Sequence, residues 1–201
     1  MDGQLPLISV NRAAQWGIVV RDIDEGIRMW SELLGVGPFM HIAHIAPYEH
    51  DAIYHGTPSD VRITVAFCYF GETQIELVQQ LNDSPSPYVD FLAKGTAGIQ
   101  HIGFWTERYD ESYAGLVARG YQPVYRARMR GVERETVYFQ DSGNAFGPML
   151  ELSLSTPRKT ALFGAMADRV KKWDGGNIVE RYESMDELAS TLGMASWTTP
   201  A

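Results

Sequence analysis

Gln15-Trp-Gly-Ile-Val-Val20 and His101-Ile-Gly-Phe-Trp-Thr106 decide how this chain is read, because each opens a half that the other repeats. Both runs are apolar enough for a well-buried strand. Acidic residues follow each one, then a helical spacing of apolar residues that ends at a glycine, Gly35 in the first half and Gly120 in the second. With Gln15 set on His101, Gly17 falls on Gly103 and Asp24 on Asp110. A repeat of this size signals a duplicated architecture. The last strand of each half carries a central glutamate, Glu76 in Gln74-Ile-Glu-Leu-Val78 and Glu151 in Met149-Leu-Glu-Leu-Ser153. Gln15, Glu76, His101 and Glu151 are four potential ligands at symmetric places, and they predict one shared site.

Outward from the first run, Asp22 or Asp24 is suited to cap a helix, since a short carboxylate accepts from the free amides of a first turn. Ile27, Trp30, Leu33 and Leu34 give that helix an apolar face, and Gly35 ends it in a left-handed conformation. The polar stretch His41 to Asp60 reads as a long loop. Arg62 to Phe70 and Thr73 to Gln79 read as two strands turned at Gly71-Glu72. Leu81 to Pro87 is a turn-rich connector and Tyr88 to Lys94 a short helix. The second half repeats the scheme, with a helix from about Asp110 to Arg119 that turns Tyr113, Leu116 and Val117 inward. Strands at Thr136 to Gln140 and Met149 to Ser153 follow, joined by the turn formers of Asp141 to Pro148. The expected organisation is a tail at 1–12, modules at 13–80 and 98–155, a connector at 81–97 and an extension at 156–201.

That extension lies outside the repeat. Leu162, Met166 and Val170 make Arg158 to Lys172 an amphipathic helix with a basic outer face, and Met185 begins another helical turn or two. A helical element packed on the core, or on a second subunit, is the expectation.

The composition excludes several function classes. An apolar fraction of 45% with ordinary charge content belongs to a folded protein. A formal net charge of -8 disfavours nucleic acid; Arg126, Arg128, Arg130 and Arg134 are the one basic cluster, read as an alternating edge strand or as a seat for a carboxylate or CoA phosphate. The lone Cys68 lies in an apolar run, so it is expected to be a buried thiol, and no disulfide can form within one chain. No apolar run approaches the ~20 residues that span a bilayer, and the first residues lack a secretory pattern, so a cytoplasmic protein without a membrane partner is expected. His41, His44, His50 and His55 fit no compact zinc finger. A polar loop over a cleft mouth, with Tyr48 and Tyr54 as substrate contacts, is the reading for that stretch.

Gly71-Glu-Thr-Gln-Ile-Glu-Leu-Val-Gln-Gln-Leu-Asn-Asp-Ser-Pro85, continued by Phe91-Leu-Ala-Lys-Gly-Thr-Ala-Gly-Ile-Gln-His-Ile-Gly103, resembles the methylmalonyl-CoA epimerase pattern of the vicinal oxygen chelate superfamily. That superfamily also contains glyoxalase I, extradiol dioxygenases and bleomycin-resistance proteins, and the likeness covers roughly Ala13 to Leu154. The resemblance implies an α+β fold, two βαβββ modules forming a curved mixed sheet around a metal-binding cleft, here followed by the C-terminal helical extension. It also implies that Gln15, Glu76, His101 and Glu151 ligate one divalent ion (Zn, Ni, Co, Mn or Mg). Epimerases carry histidine where this chain has Gln15, whereas some glyoxalase I enzymes use glutamine, glutamate, histidine and glutamate in this order.

The implied chemistry is general acid/base catalysis beside a Lewis acid, with Glu151 as first candidate for the base and Glu76 as second. This makes the chain a metal-dependent isomerase, epimerase or lyase. It would move a proton alpha to a carbonyl or thioester of a small acid, acyl-CoA or thiol adduct. The alternatives are a non-catalytic small-molecule binding or resistance protein and, with one histidine where dioxygenases use two, an extradiol-type dioxygenase. The position matching a further epimerase carboxylate falls on Arg62, and no basic residue stands beside Val19 for glutathione. A homodimer follows from the resemblance alone.

Overall fold

The structure is a computed structural model that describes residues 14–45, 52–95, 97–128, 133–141, 143 and 147–197. The first half supplies β1 (Gln15–Val19), α1 (Ile23–Leu34), β2 (Phe39–Ile45), a small hairpin of β3 (Ala52–Tyr54) and β4 (Thr57–Pro58), then β5 (Ile63–Phe70) and β6 (Thr73–Gln80). After α2 (Pro87–Ala93) the second half supplies β7 (Gly98–Thr106), α3 (Tyr109–Ala118), β8 (Tyr121–Ala127), β9 (Thr136–Asp141) and β10 (Met149–Leu154). The extension forms α4 (Pro157–Lys171), β11 (Val179–Tyr182) and α5 (Met185–Thr191). The strands make one mixed sheet in the order β11-β2-β5-β6-β1-β7-β10-β9-β8-β3-β4. The α+β fold of two βαβββ modules is therefore present, with the hairpin inserted into the first.

Connectivity forces this sheet to curve. In the sheet order β2 and β3 are eight places apart, which is roughly 38 Å in a flat sheet at ~4.8 Å per strand. Yet β2 ends at Ile45 and β3 begins at Ala52, seven peptide steps later, a reach of ~25 Å at most. The two limbs must bend toward each other, and the space between them is the cleft. The hairpin completes the far limb by pairing β3 with β8, Ile53 opposite Arg126.

Strand alternation then sorts side chains into layers. Along β5, Ile63, Val65, Phe67 and Tyr69 belong to the cluster on the concave side, while Ala66 and Cys68 pack behind the sheet with Ile23 and Ile27 of α1. Leu150 and Leu152 of β10 pack behind the second half with Leu116 of α3. Both faces are covered, so the strands read as nearly continuous apolar runs. Cys68 is fully buried as expected, and burial pushes its thiol up to about 12, which keeps it unreactive.

Three expectations need correction. His41 to Asp60 is not a long loop: it contains β2, β3 and β4 among its described residues, while Tyr48 and His50 lie outside them. Polar residues masked β2 because the strand is buried with partners for them, as where His41 takes a 2.7 Å hydrogen bond with Thr64 and a 2.8 Å one from Arg181. On α1 the buried ridge is Ile23, Gly26 and Ile27 with Trp30 packed beside it, whereas Leu33 is 72% exposed; on α3, Leu116 is buried but Val117 is exposed. Among the described residues the arginines form no alternating strand: β8 stops at Ala127 and Arg134 pairs with Asp110 on α3, while Arg130 lies outside the described residues. Asp22 is the cap of α1, accepting from the Glu25 amide, and Gly35 ends the helix at φ 64°.

The extension adds more than helices. Its β11 pairs in parallel with β2 at the sheet edge, and Leu162, Phe163 and Met166 of α4 pack on the concave face with Val65 and Phe67. Leu162→Ala at this fully buried position is expected to cost about 2–5 kcal/mol in denaturant titration. Leu33→Ala should stay within about 0.5 kcal/mol; a comparable loss there would contradict the packing of α1.

Candidate metal centre and cleft

The centre of the sheet is built as a near-symmetric quartet. β1 and β7 pair antiparallel, with Gln15 opposite Gly103 and Gly17 opposite His101. β6 joins β1 in parallel with Glu76 opposite Gly17, and β10 joins β7 in parallel with Glu151 opposite Gly103. Each glycine makes room for a ligand side chain from the strand across. A Cβ on Gly17 would sit 1.8 Å from His101 Cε1, and one on Gly103 would sit 2.9 Å from Gln15 Oε1. The two glycines that aligned in the repeat are therefore steric requirements of the site.

His101 is fully buried, and its Nε2 lies 3.2 Å from an oxygen of Glu76 and 3.2 Å from an oxygen of Glu151. Neither contact has hydrogen-bond geometry, so Nε2 is a buried nitrogen without a hydrogen-bond partner among the described residues. On the other side of the ring, Nδ1 lies 2.8 Å from Gln100 Oε1, whose amide nitrogen is turned to Met149 Sδ. Gln100 therefore accepts from Nδ1–H, which leaves Nε2 facing the carboxylates as the position that holds either a second proton or, once that proton is displaced, an ion, as in histidines whose other nitrogen is held for metal binding. The ligand atoms of Glu76, His101 and Glu151 all lie within 4.8 Å of one another.

Gln15 is oriented by a chain of donors. The Phe163 carbonyl can only accept, so Tyr69 donates to it at 2.9 Å; Gln74 donates to the Tyr69 oxygen at 3.0 Å; and Gln15 donates to Gln74 at 2.8 Å. This sequence uses the Gln15 amino group and leaves its Oε1 for the cleft. One imidazole, two carboxylates and one amide oxygen make a donor set that fits a divalent ion.

Charge explains how the cluster is held. Burial lowers His101, but its close contacts with Glu151 and Glu76 outweigh this and push the imidazole up to about 9. Burial raises Glu76 above the usual carboxylate range, whereas Glu151 is held below it, because contact with His101, the Lys159 charge and a Tyr138 hydrogen bond together overcome burial. Of the two carboxylates, Glu151 is the one whose charged form its surroundings favour.

The cleft around these groups has a cavity of about 140 Å3, close to the ~150 Å3 that holds a benzene-sized guest. Tyr138 lies against His101 with ring centres 4.6 Å apart, and its hydroxyl meets that of Tyr88 at 3.0 Å. Opposite, Trp105 and Phe163 stack at 4.8 Å, and Lys159 places its ammonium 4.7 Å from the Trp105 ring centre while donating to Ser153. Burial lowers Lys159 to about 8, against the pull of Glu151 and Glu76. Met185 and Trp197 also reach the cavity, so the extension walls the site.

Gln15, Glu76, His101 and Glu151 are brought together at this one place; Tyr54 is not part of it and donates to Asp90 on α2 at 2.7 Å. Arg62 is exposed and pairs with Asp60. Lys159 was overlooked, although a signal existed: it stands three residues before Leu162 and seven before Met166, in register with the apolar stripe. Tyr138 could have been found from Val137 and Phe139, which flank it on the opposite strand face.

The family model for the Glyoxalase/Bleomycin resistance protein/Dioxygenase superfamily matches residues 14–139, and the chain belongs to that superfamily. Among solved structures it is similar to methylmalonyl-CoA epimerase from Mycobacterium tuberculosis, at 22% identity and TM-score 0.53, over 79% of this chain and 97% of that one. It is similar to a Streptomyces coelicolor methylmalonyl-CoA epimerase variant in complex with 2-nitronate-propionyl-CoA, at 21% identity and TM-score 0.52, over 74% and 97%. A hypothetical protein from Bacillus halodurans C-125 matches at 19% identity and TM-score 0.52, over 72% and 94%. These likenesses establish the shared fold. No curated protein matches the sequence. No helix among the described residues is long and apolar enough to cross a membrane.

Two outcomes test the centre. Gly17→Ala drives a methyl group into the His101 ring and should abolish stoichiometric metal uptake, measured by elemental analysis, while the protein still folds; normal uptake would sink the ligand assignment. Because the folded imidazole holds its proton below about pH 9, an ion must displace it. Apparent affinity should therefore fall roughly tenfold per pH unit below that point, with about one proton released per ion in calorimetry across buffers of different ionisation heat. Binding without proton release would exclude His101 as ligand.

Proposed function

We propose that this protein is a metal-dependent isomerase, epimerase or lyase that moves a proton on the carbon alpha to a carbonyl or thioester of a small acid, acyl-CoA or thiol adduct. The observation that carries the reading is His101 Nε2, buried without a hydrogen-bond partner among the described residues and 3.2 Å from an oxygen of both the buried Glu151 and the partly buried Glu76. Gln15, Glu76, His101 and Glu151 would hold one divalent ion, which supplies a Lewis acid for the substrate's carbonyl oxygen.

The chain's own groups do the rest. The Glu151 carboxylate removes the alpha proton and the electron pair of the broken C–H bond moves toward the carbonyl oxygen; Glu151 then returns the proton either to the same carbon, which gives exchange alone, or to the neighbouring carbon, where the electron pair forms the new C–H bond of the isomer. Glu76, on the other side of His101, is the second base if the proton must return to the opposite face. The Tyr138 hydroxyl nearby favours the charged form of Glu151. Trp105 and Phe163 keep water from the carbanion-like intermediate. Arg62 offers no carboxylate, so two-base chemistry here falls to the Glu76–Glu151 pair. Assembly as a homodimer and a cytoplasmic location belong to the same proposal, carried by the resemblance and the composition.

The test is proton NMR of alpha-hydrogen exchange into heavy water, run on metal-loaded protein across small 2-oxo acids, acyl-CoA thioesters and glutathione adducts. Glu151→Gln should lower exchange by a factor of 10^2 to 10^4 with metal still bound. Unchanged exchange in that variant overturns the base assignment, and absence of exchange with every class favours a binding protein.

A further inference from the structure

The extension brings into the cleft a cation that is not among the proposed metal donors. Lys159 sits on the inward side of α4, its ammonium bonded to the Ser153 hydroxyl and lying over the Trp105 and Phe163 rings, and it forms no salt bridge among the described residues. It lies beyond the span matched by the family model, which ends at residue 139. Glu76 and Glu151 line the same cavity and draw on that ammonium, but once a divalent ion neutralises them the ammonium is costly there unless another anion joins it.

The charge count says what that anion is. Glu76 and Glu151 cancel the two charges of a divalent ion, and Gln15 and a neutral His101 add none. Lys159 then leaves the loaded cleft with one uncompensated positive charge. We propose that Lys159 binds a carboxylate of the substrate, so that this site takes a small monoanionic acid whose carboxylate points to α4 and whose carbonyl faces the metal centre. This inference rests on the proposed metal-dependent reading and narrows its substrate class. The cavity of about 140 Å3 admits such a molecule as a whole. A phosphate is disfavoured, because one ammonium and one hydroxyl supply few donors for a dianion that usually takes several. Trp105 and Phe163 flank the anchor and suit a short alkyl chain between the two polar ends.

Propionate is the probe, with propionamide as its neutral counterpart and inorganic phosphate as the competing anion, titrated by calorimetry into full-length protein loaded with Mn2+. Propionate should bind at least tenfold more tightly than propionamide or phosphate. Lys159→Met, whose chain can lie over the same rings, should weaken propionate at least tenfold with metal content and melting temperature unchanged. Lys159→Gln guards against a packing artefact and should show the same loss. Equal propionate affinity in both variants, or tighter binding of phosphate, overturns the proposal while leaving the metal-dependent reading intact. Conversely, Lys159-dependent propionate binding in a protein that takes up no metal upholds the anchor and defeats the metal-dependent reading.

Discussion

Two carboxylates buried against one imidazole nitrogen require positive charge, and the rest of the cleft is arranged around that demand. Uncompensated, each buried carboxylate would cost several kcal/mol. A proton on His101, raised toward pH 9, satisfies the cluster in one way. A divalent ion on Nε2 would satisfy it in another, and the two are mutually exclusive at the same lone pair. Gln100 holds the ring by Nδ1, so the exchange alters only the Nε2 side. The geometry is fixed by backbone, because Gly17 and Gly103 leave the volumes that His101 and Gln15 fill. A centre defined by strand register is stiffer than one assembled on loops, which suits precise ligand placement.

Much of this was legible because duplication writes itself into spacing. Gln15 and His101 aligned together with Gly17 and Gly103, and a glutamate fell centrally in the last strand of both halves. What spacing alone left open was the direction of Glu76 and Glu151, since alternation allows a strand glutamate to face solvent. The partition of neighbours resolves it: Ile75 and Leu77 pack under α1, and Leu150 and Leu152 under α3, so the glutamates point into the concavity. The middle of the first half was opaque for the opposite reason. His41 and His44 lent β2 a polar look, but the strand is sealed by Thr64 on one neighbour and Arg181 of the extension on the other side, a partner 140 positions away that no local pattern announces. The edge strand β11 was hidden likewise, with two charges in the four residues Val179–Tyr182.

The extension changes the meaning of the fold. Its hydrogen bond from Tyr69 to the Phe163 carbonyl ends the donor chain that orients Gln15, so a candidate ligand in the first strand is positioned through a helix far along the sequence. Removing the Tyr69 hydroxyl would free Gln74 to rotate, and Gln15 Oε1 would lose its directional preference. The helix that orients the amide also delivers Lys159 and Phe163 to the cavity. Site and wall are thus one hydrogen-bonded unit, which argues that the extension is part of the working cleft rather than a separate appendage.

The asymmetry between Glu76 and Glu151 follows from this same wall. The backbone places the two residues equivalently, each paired with a glycine of the central strands. Their surroundings differ because the second half supplies Tyr138 beside Glu151, and Tyr138, Lys159 and His101 together hold that carboxylate ionised. Glu76 has the imidazole and a weaker share of the Lys159 charge, and burial prevails there. A symmetric scaffold thereby acquires one carboxylate whose charged form is favoured over the other. The departure from symmetry comes from one tyrosine and one lysine, and the lysine belongs to the segment that the duplication does not contain.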